Sequence, residues 1–163
     1  MLIRNGVRFT LALAIVLTIG CDRVTKQVAT AALAGMPSRS FLADTVRLEY
    51  AENTGGFLGV GADLHPSLRT GLFTMATGLT LLLMTAAAVR LRVGGAALLG
   101  VALFVAGGAS NWIDRVARGS VVDFLNVGVG PVRTGIFNVA DVAIMLGAAL
   151  ILIAEIRAAR RPT

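Results

Sequence analysis

Residues 94–115 read GGAALLGVALFVAGGASNWIDR, an apolar run that ends in a cluster of polar side chains. A helix needs about 20 apolar residues to cross a hydrocarbon core of roughly 30 Å, and residues 94–112 are long enough. Counted from Gly94 at about 1.5 Å per residue, Asn111 and Arg115 lie about 25 and 32 Å along the helix. The run therefore predicts a transmembrane helix whose polar end lies near one face of the bilayer.

Three further apolar runs accompany this one. Hydrophobic residues make up 56% of the 163 residues and charged residues only 15%, so the chain is far more apolar than a soluble domain of its size. The predicted spans lie near residues 9–33, 68–89, 94–112 and 136–154. We therefore predict one domain over residues 1–163, an all-α membrane protein with four transmembrane helices.

Basic residues flank the apolar runs asymmetrically. They precede the first run, separate the second from the third, and follow the last: Arg4, Arg8, Arg90, Arg92, Arg157, Arg160 and Arg161. Under the positive-inside rule both termini are cytoplasmic, and the loops at residues 34–67 and 113–135 lie outside. The net charge of +6 is therefore a topology signal. No nucleic-acid partner is expected, because the basic residues lack interleaved aromatic residues.

Both outer loops contain a candidate strand. Val46, Leu48 and Tyr50 alternate with charged residues, which is the period of a half-buried strand, and the turn-rich residues 53–56 follow. Residues 121–125 are apolar apart from one aspartate, and glycines and a proline follow. We therefore predict a small extracytoplasmic β element on the helical bundle.

The polar residues at membrane depth converge on one layer. Asp22 and Lys26 lie roughly 20 and 25 Å from Phe9 along the first span, while Asn138 and Asp141 begin the last span from the outside, at about 1.5 Å per residue. The residues that can meet at the outer face are Asp22, Lys26, Asn53, Asn111, Arg115, Asp123, Asn138 and Asp141.

A structural role and a functional role both fit members of this layer. Asp22 can pair with Lys26, the asparagines can join helices, and Asp114 can pair with a neighbouring arginine in the outer loop. Asp123 and Asp141 have no evident matching bases nearby, and a carboxylate at such a place usually marks a functional site. Two carboxylates held together share one proton, which provides a base to activate water and an acid for a leaving group.

Four sequence blocks, in order, carry a family resemblance. They are Asp22-Arg23-Val24-Thr25-Lys26, Asn53-Thr54-Gly55-Gly56-Phe57, the run from Gly107 to Phe124, and Phe137-Asn138-Val139-Ala140-Asp141. Together they resemble the bacterial lipoprotein signal peptidase family, also called signal peptidase II. Ser110 departs from the family pattern, which usually has glycine there.

The resemblance implies an aspartic endopeptidase of the bacterial inner membrane, without metal or other cofactor. Such an enzyme removes the signal peptide from diacylglyceryl-modified prolipoproteins by cleaving before the lipidated cysteine. The resemblance assigns the catalytic dyad to Asp123 and Asp141. It assigns supporting or substrate-contacting roles to Asp22, Lys26, Asn53, Asn111, Arg115 and Asn138. The implied partners are lipidated prolipoproteins and membrane lipid, and a monomer is expected.

Three alternatives compete with this interpretation. A small carboxylate-coupled transporter also uses intramembrane carboxylates, although such folds often show internal repeats and broken helices. A metal-dependent, lipid-modifying membrane enzyme could bind Mg²⁺ through Asp114, Asp123 and Asp141. Lastly, the apolar stretch before Cys21 could be a cleaved lipoprotein signal sequence, although the apolar pattern resumes at residues 28–33.

Overall fold

Helices dominate the architecture. The structure is a computed structural model that describes residues 2–55, 61 and 63–160, and it describes residues 2–8 and 70 through their backbone alone. The helical elements in chain order are α1 (Leu2–Leu33), α2 (Pro66–Thr70), a π-helical turn (Gly71–Met75), α3 (Ala76–Arg90), α4 (Gly95–Arg118) and α5 (Val139–Ala159).

Three helical segments of the described chain are long and apolar enough to cross a membrane. They are Pro66–Arg90, which joins α2, the π-helical turn and α3, together with Gly95–Arg118 and Val139–Ala159. These segments overlap the second, third and fourth predicted spans. The structure is therefore mostly helical, with apolar helices of membrane-crossing length.

Helix α1 overlaps the first predicted span and ends at the same residue, Leu33. Its membrane crossing remains a prediction. The helix is continuous through Cys21, and Asp22 and Lys26 beyond it are buried. This continuity disfavours a cleaved signal sequence that ends before Cys21.

Helix α4 extends further at its C-terminal end than the apolar run predicts. It continues past residue 112 to Arg118 and stops at Gly119, whose φ of 75° is the left-handed conformation that glycine adopts readily. Asp114 was predicted in the outer loop, and this was wrong, because it lies in the last turns of α4 and is buried.

Helix α5 starts at Val139, later than the predicted position near 136, because Asn138 caps it. The Asn138 side chain accepts a hydrogen bond from the Asp141 backbone, and the Asp141 side chain accepts one from the Asn138 backbone. This reciprocal pair is a capping box, which satisfies two of the free N–H groups at a helix start.

The β element is one antiparallel sheet with the strand order β1-β2-β3-β4. Its strands are β1 (Arg39–Phe41), β2 (Val46–Asn53), β3 (Val121–Val129) and β4 (Val132–Arg133). The predicted strands in the two long loops are confirmed as β2 and β3, whereas β1 and β4 were not predicted. Asn53 pairs with Val121 at one end of the β2–β3 ladder, which brings β2 close to Asp123.

Small residues allow α4 and α5 to pack closely. A Cβ atom at Gly100 would lie 2.8 Å from the Gly147 carbonyl oxygen, and one at Gly107 would collide with the Ala140 carbonyl oxygen. Close backbone approach through glycine is typical of helix pairs in membranes. It also fixes the first turn of α5 against α4.

Burial is inverted relative to a soluble protein. The largest fully buried side chains are mostly polar: Val121, Asn138, Asp22, Asp114, Asp123 and Ser110. Large apolar side chains face outward, such as Phe9 at 69% exposure and Leu82 at 65%. An apolar exterior around a polar interior is the arrangement expected in lipid.

Candidate active site

Asp123 lies in β3 and is buried. Asn53 Nδ2 donates to its Oδ2 at 2.8 Å, and Asn138 Nδ2 donates to its Oδ1 at 2.6 Å. The Asn53 contact follows from the strand register, since Asn53 pairs with Val121, two residues before Asp123 on the same face. Two amides therefore orient both oxygens of this carboxylate.

Asp141 lies in the first turn of α5 and is also buried. Asn111 Nδ2 of α4 donates to its Oδ1 at 2.9 Å, and the Asn138 backbone N–H donates to its Oδ2 at 3.1 Å. The capping box thus fixes one oxygen and the neighbouring helix fixes the other.

Asn138 and Asn111 join the two carboxylates into one unit. Asn138 Nδ2 donates to Asp123 and also lies 3.2 Å from Asn111 Oδ1, while Asn111 Nδ2 donates to Asp141. The two aspartates come from a strand and a helix, and the asparagines between them set their relative position.

One cavity of about 250 Å³ exposes both carboxylates. Its lining residues are Asn53, Phe73, Thr77, Gly108, Asn111, Arg115, Val121, Asp123, Asn138, Asp141 and Ile144. It therefore gathers the predicted dyad and four of the predicted supporting residues, Asn53, Asn111, Arg115 and Asn138. The other two, Asp22 and Lys26, do not line it.

Asp22, Lys26 and Asp114 form a buried ionic cluster beside the cavity. Lys26 Nζ lies 2.7 Å from Asp22 Oδ2 and 2.8 Å from Asp114 Oδ2. Ser110 Oγ and the Ala140 N–H also donate to Asp22, at 2.7 and 2.9 Å. The expected Asp22–Lys26 pair is present, and Ser110 has a partner that glycine at this position would lack.

Asp114 binds three cations. Besides Lys26, Arg23 and Arg118 both contact its Oδ1, at 2.6 and 2.8 Å. The expected pairing of Asp114 within its own segment is therefore present with Arg118, but Arg23 and Lys26 of α1 also take part. The cluster joins α1 to α4.

Lys26 connects this cluster to the cavity. Its Nζ donates to Asn111 Oδ1 at 2.7 Å, and Asn111 in turn holds Asp141. With Oδ1 occupied by donors, the Nδ2 group of Asn111 is directed to Asp141. Lys26 thus acts through a positioning asparagine rather than in the cavity itself.

The partners of the buried carboxylates differ in charge. Asp22 and Asp114 are neutralised by ion pairs, whereas the hydrogen bonds to Asp123 and Asp141 from the described residues come from neutral amides. Burial raises the pKa of the Asp123 carboxyl, against hydrogen bonds from Asn53 and Asn138 that lower it. A carboxyl held by neutral donors can carry or release a proton, as acid–base chemistry requires.

Arg115 reaches across the mouth of the site. Its Nη2 donates to the Gly55 carbonyl at 2.7 Å, while its Nε is buried without a partner among the described residues. Gly56 and Phe57, which follow in the same sequence block, lie outside the described residues. Arg115 therefore ties the end of α4 to the β2 loop beside the carboxylates.

Several residues that line the cavity were not predicted as site residues: Phe73, Thr77, Gly108, Val121 and Ile144. Phe73 belongs to the π-helical turn, whose Thr74 carbonyl accepts a hydrogen bond from Trp112 Nε1 at 2.8 Å. Single-turn π elements often occur at functional sites. No residue pattern in that apolar run distinguishes this turn from ordinary α-helix.

The metal alternative required Asp114 beside the other two aspartates. Asp114 instead lies in the ionic cluster and does not line the cavity. No group of three or more His, Cys, Asp or Glu residues gathers as a metal site within the described residues. The cavity therefore contains a pair of carboxylates rather than the three oxygen ligands that the metal alternative needs.

Comparisons with known proteins give a consistent result. The family model described as signal peptidase (SPase) II matches residues 14–157. A lipoprotein signal peptidase of Chlorobium phaeobacteroides is 31% identical, covering 89% of this chain and 87% of that protein. One from Streptococcus pneumoniae is 30% identical, covering 92% and 94%.

The fold agrees with this match. A solved structure described as a bacterial membrane enzyme superposes with a TM-score of 0.80 at 26% identity, covering 94% of this chain and 92% of that chain. Because the family model spans nearly the whole chain and both cavity aspartates lie inside the matched range, the chain belongs to the signal peptidase II family of membrane proteases.

Proposed function

We propose that the chain is an aspartic endopeptidase that removes the signal peptide from diacylglyceryl-modified prolipoproteins and cleaves before the lipidated cysteine. The observation that carries this proposal is the pair of buried carboxylates, Asp123 and Asp141, which share one cavity and are held by neutral amides. Asp22, Lys26, Asn53, Asn111, Arg115 and Asn138 support the site or contact the substrate.

In the proposed reaction, the two aspartates share one proton and hold a water between them. The ionised carboxylate takes a proton from this water as its oxygen attacks the carbonyl carbon before the lipidated cysteine. The protonated carboxyl gives its proton to the carbonyl oxygen, which produces a gem-diol intermediate. As the C–N bond breaks, the carboxyl that took the water's proton passes it to the departing amine, and a diol hydroxyl returns a proton to the other carboxylate, so the dyad again holds one proton. Since the proton belongs to the coupled pair, it is not assigned to either aspartate alone.

The neutral amides suit this exchange. A lysine or arginine bound to either carboxylate would hold it ionised, and the acid half of the reaction would be lost. Here Lys26 binds Asn111, and Asn111 binds Asp141. The lysine therefore orients the asparagine without forming an ion pair with either aspartate of the dyad.

An apolar groove next to the site can take side chains of the substrate's signal helix as that helix packs against it. It has a volume of about 300 Å³, lies against α3, α4 and α5, and shares Phe73, Thr77, Gly108 and Ile144 with the catalytic cavity. A substrate helix in this position places its scissile bond beside the carboxylates, which is the alignment that proximity catalysis needs.

The proposal includes a multi-pass topology in the bacterial inner membrane. Four helices cross the bilayer, both termini are cytoplasmic, and the carboxylates and the sheet lie at the outer face, as the arginine distribution indicates. A lipidated cysteine anchored in the outer leaflet then lies at the depth of the dyad. The proposal takes the chain to act as a monomer, since one chain supplies both aspartates and the amides that hold them.

The test is cleavage of matched precursors by the purified protein. A precursor with the diacylglyceryl group should be cut before its cysteine, and the same precursor without the lipid should be cut at least tenfold more slowly. The lipid holds the scissile bond at the interface, so its removal lowers the fraction of correctly placed substrate. Equal rates would contradict the proposed substrate class, and cleavage of neither precursor would contradict the proposed activity.

A further inference from the structure

A second polar cavity lies beside α1 and is lined in part by Lys26, whose Nζ contacts Asn111 next to the catalytic dyad. Its volume is about 320 Å³, and its lining residues are Arg23, Lys26, Gln27, Thr30, Ala31 and Arg118. Lys26 contacts both Asp114 and Asn111, so this cavity lies at nearly the same depth as the dyad. None of its lining residues lines the catalytic cavity.

The cations that line the cavity outnumber the carboxylates that contact them. Its three cations, Arg23, Lys26 and Arg118, contact two carboxylates of the described chain, Asp22 and Asp114. This leaves an excess of one positive charge among the contacting groups, and the further carboxylate in the neighbourhood, Glu52, is hydrogen-bonded to Tyr50 and Ser120. An anion bound in the cavity would balance this excess and would be attracted by both arginines.

The two arginines have hydrogen-bonding capacity to spare. Each donates one hydrogen bond within the described chain, to the same Oδ1 of Asp114. A guanidinium carries five N–H donors in a planar fork that matches phosphate oxygens. The Arg23 and Arg118 side chains are 34% and 48% exposed, so their remaining donors are available to a ligand.

An apolar groove begins one helical turn along α1 from this cavity. Ile19, four residues before Arg23, lines a groove of about 470 Å³ formed by α1, α3 and α4. Its lining is apolar apart from Thr85 and Arg92. Residues four apart on a helix are neighbours, so a phosphate at Arg23 and an acyl chain at Ile19 can belong to one molecule.

We propose that this cavity binds the phosphate headgroup of an anionic phospholipid, with an acyl chain along the Ile19 groove. The lipid belongs to the leaflet that contains the aspartates. The site rests on the membrane location of the chain and not on the peptidase reaction. It is distinct from the substrate site, because its residues approach the catalytic cavity only through Lys26.

The probe is a short-chain phosphatidylglycerol titrated into the purified full-length protein in a non-ionic detergent. Thermal unfolding is followed through the fluorescence of Trp112, the single tryptophan. The lipid should raise the unfolding temperature saturably, since a ligand of the folded state stabilises it by mass action. Inorganic phosphate and a diacylglycerol of equal chain length form the two comparison arms, and each should produce a much smaller shift.

Two variants test the cavity itself. Arg23→Gln removes a charged donor, and Gln27→Glu places a negative charge in the cavity at an exposed residue that makes no contact with Asp114. Each should weaken the lipid's apparent affinity about tenfold, Arg23→Gln through loss of one charge-assisted hydrogen bond and Gln27→Glu through repulsion of the phosphate. Arg39→Gln, on exposed β1, is the matched control and should bind the lipid as the wild type does.

The arms separate the possible outcomes. A diacylglycerol shift equal to that of the phospholipid would overturn the phosphate site, and an equal shift from inorganic phosphate would overturn the lipid as its source. Wild-type affinity in both Arg23→Gln and Gln27→Glu would overturn the assignment to this cavity. Precursor cleavage by the same preparation without added lipid reports on the peptidase separately, so failure of one proposal is distinguishable from failure of the other.

Discussion

The buried carboxylates of this chain differ in the charge of their hydrogen-bond partners. This difference separates structural carboxylates from those that can exchange a proton. Asp114 binds Lys26 and two arginines, so it stays ionised and joins α1 to α4. Lys26 is the buried partner among these three, and removing one member of a buried ion pair costs about 3–5 kcal/mol. Asp123 and Asp141 are held by amides, which orient the oxygens and still allow a proton to move.

The Asn53 amide should tune the pH dependence of cleavage. Its hydrogen bond lowers the pKa of Asp123, while burial raises it. Asn53→Ala removes the lowering contribution, so the Asp123 carboxyl should retain its proton to higher pH. The alkaline limb of the profile of kcat/KM against pH, where the dyad loses its shared proton, should then shift upward.

The control for this change is Ser40→Ala, an exposed hydroxyl in β1 that contacts Asp44 and lies outside the cavity. Its alkaline limb should coincide with that of the wild type. An Asn53→Ala limb that stays in place or moves to lower pH would show that this amide does not stabilise the ionised carboxylate.

At the scale of elements, the first turn of α5 positions several residues of the site. Its capping box fixes Asn138 and Asp141 relative to each other, and the Asp22 side chain accepts from the Ala140 N–H. Gly107 of α4 lies directly against the Ala140 carbonyl. The position of the dyad therefore depends on close contact between two helix backbones.

A methyl group at this contact should disturb both stability and activity. In Gly107→Ala the new Cβ would collide with the Ala140 carbonyl oxygen and displace the first turn of α5. Overpacking of this kind typically costs about 1–3 kcal/mol, and it should lower cleavage by moving Asp141. Gly20→Ala is the matched control, because a Cβ there meets no atom within 4 Å.

Thermal unfolding in detergent and precursor cleavage measure the two effects. Gly20→Ala should unfold at or slightly above the wild-type temperature, since alanine favours the helix more than glycine. If Gly107→Ala unfolds at the same temperature as Gly20→Ala and cleaves as well, the backbone contact does not hold the dyad.

How well each helix or strand can be predicted depends on how clear a pattern its own sequence contains. The alternation of Val46, Leu48 and Tyr50 with charged residues predicts β2, and Leu48 and Tyr50 pack against the apolar cluster around Phe124. Strands β1 and β4 are only three and two residues long, too short for any periodic pattern. The π-helical turn takes part in a tertiary contact, the Trp112 hydrogen bond to the Thr74 carbonyl, that no local sequence pattern encodes.

Two helix boundaries had readable signals that hydropathy alone misses. Gly119 after Arg115 and Arg118 marks the end of α4, because cations in the last turn and glycine beyond it are typical of a helix terminus. The spacing of Asn138 and Asp141 matches a capping box and marks the start of α5. A helix boundary predicted from the end of an apolar run is therefore wrong where the last turns of the helix are polar.

At the scale of the whole molecule, hydropathy and depth along the helices predict which polar residues lie close together. They do not predict which of these residues form ion pairs and which form the catalytic pair. Counting along the spans places Asp22, Lys26 and the dyad in one layer, and the structure does bring them together. The separation into an ionic cluster and an amide-held dyad depends on helix rotation and on the sheet register. Those are tertiary quantities that one sequence does not encode locally.

The proposed orientation of the whole molecule has a direct test. In a Cys21→Ala background, Ser40→Cys should react with an impermeant thiol reagent added to intact spheroplasts, because the arginine asymmetry places β1 outside. Ala159→Cys, at the end of α5, should react only after lysis. Both parent residues are exposed, so accessibility within the fold does not separate them. The reverse pattern would contradict the orientation and the leaflet of the site.

The central claim is that Asp123 and Asp141 act as one catalytic pair. The most direct measurement is cleavage of a lipidated precursor by purified Asp123→Asn, Asp141→Asn and the double variant, at matched levels of folded protein. Asparagine keeps the size but cannot exchange a proton, so each single change should lower the rate by roughly 10²–10⁴-fold or more. The double variant should be no worse, because residues that act as a unit fail together.

Asp44→Asn is the matched control, since its carboxylate is 43% exposed, pairs with Arg47 and lies outside the cavity. It should cleave at the wild-type rate, and excess EDTA should leave the wild type unchanged. Near-normal cleavage by either Asp123→Asn or Asp141→Asn would contradict the two-aspartate mechanism, as would loss of wild-type activity in EDTA that Mg²⁺ restores.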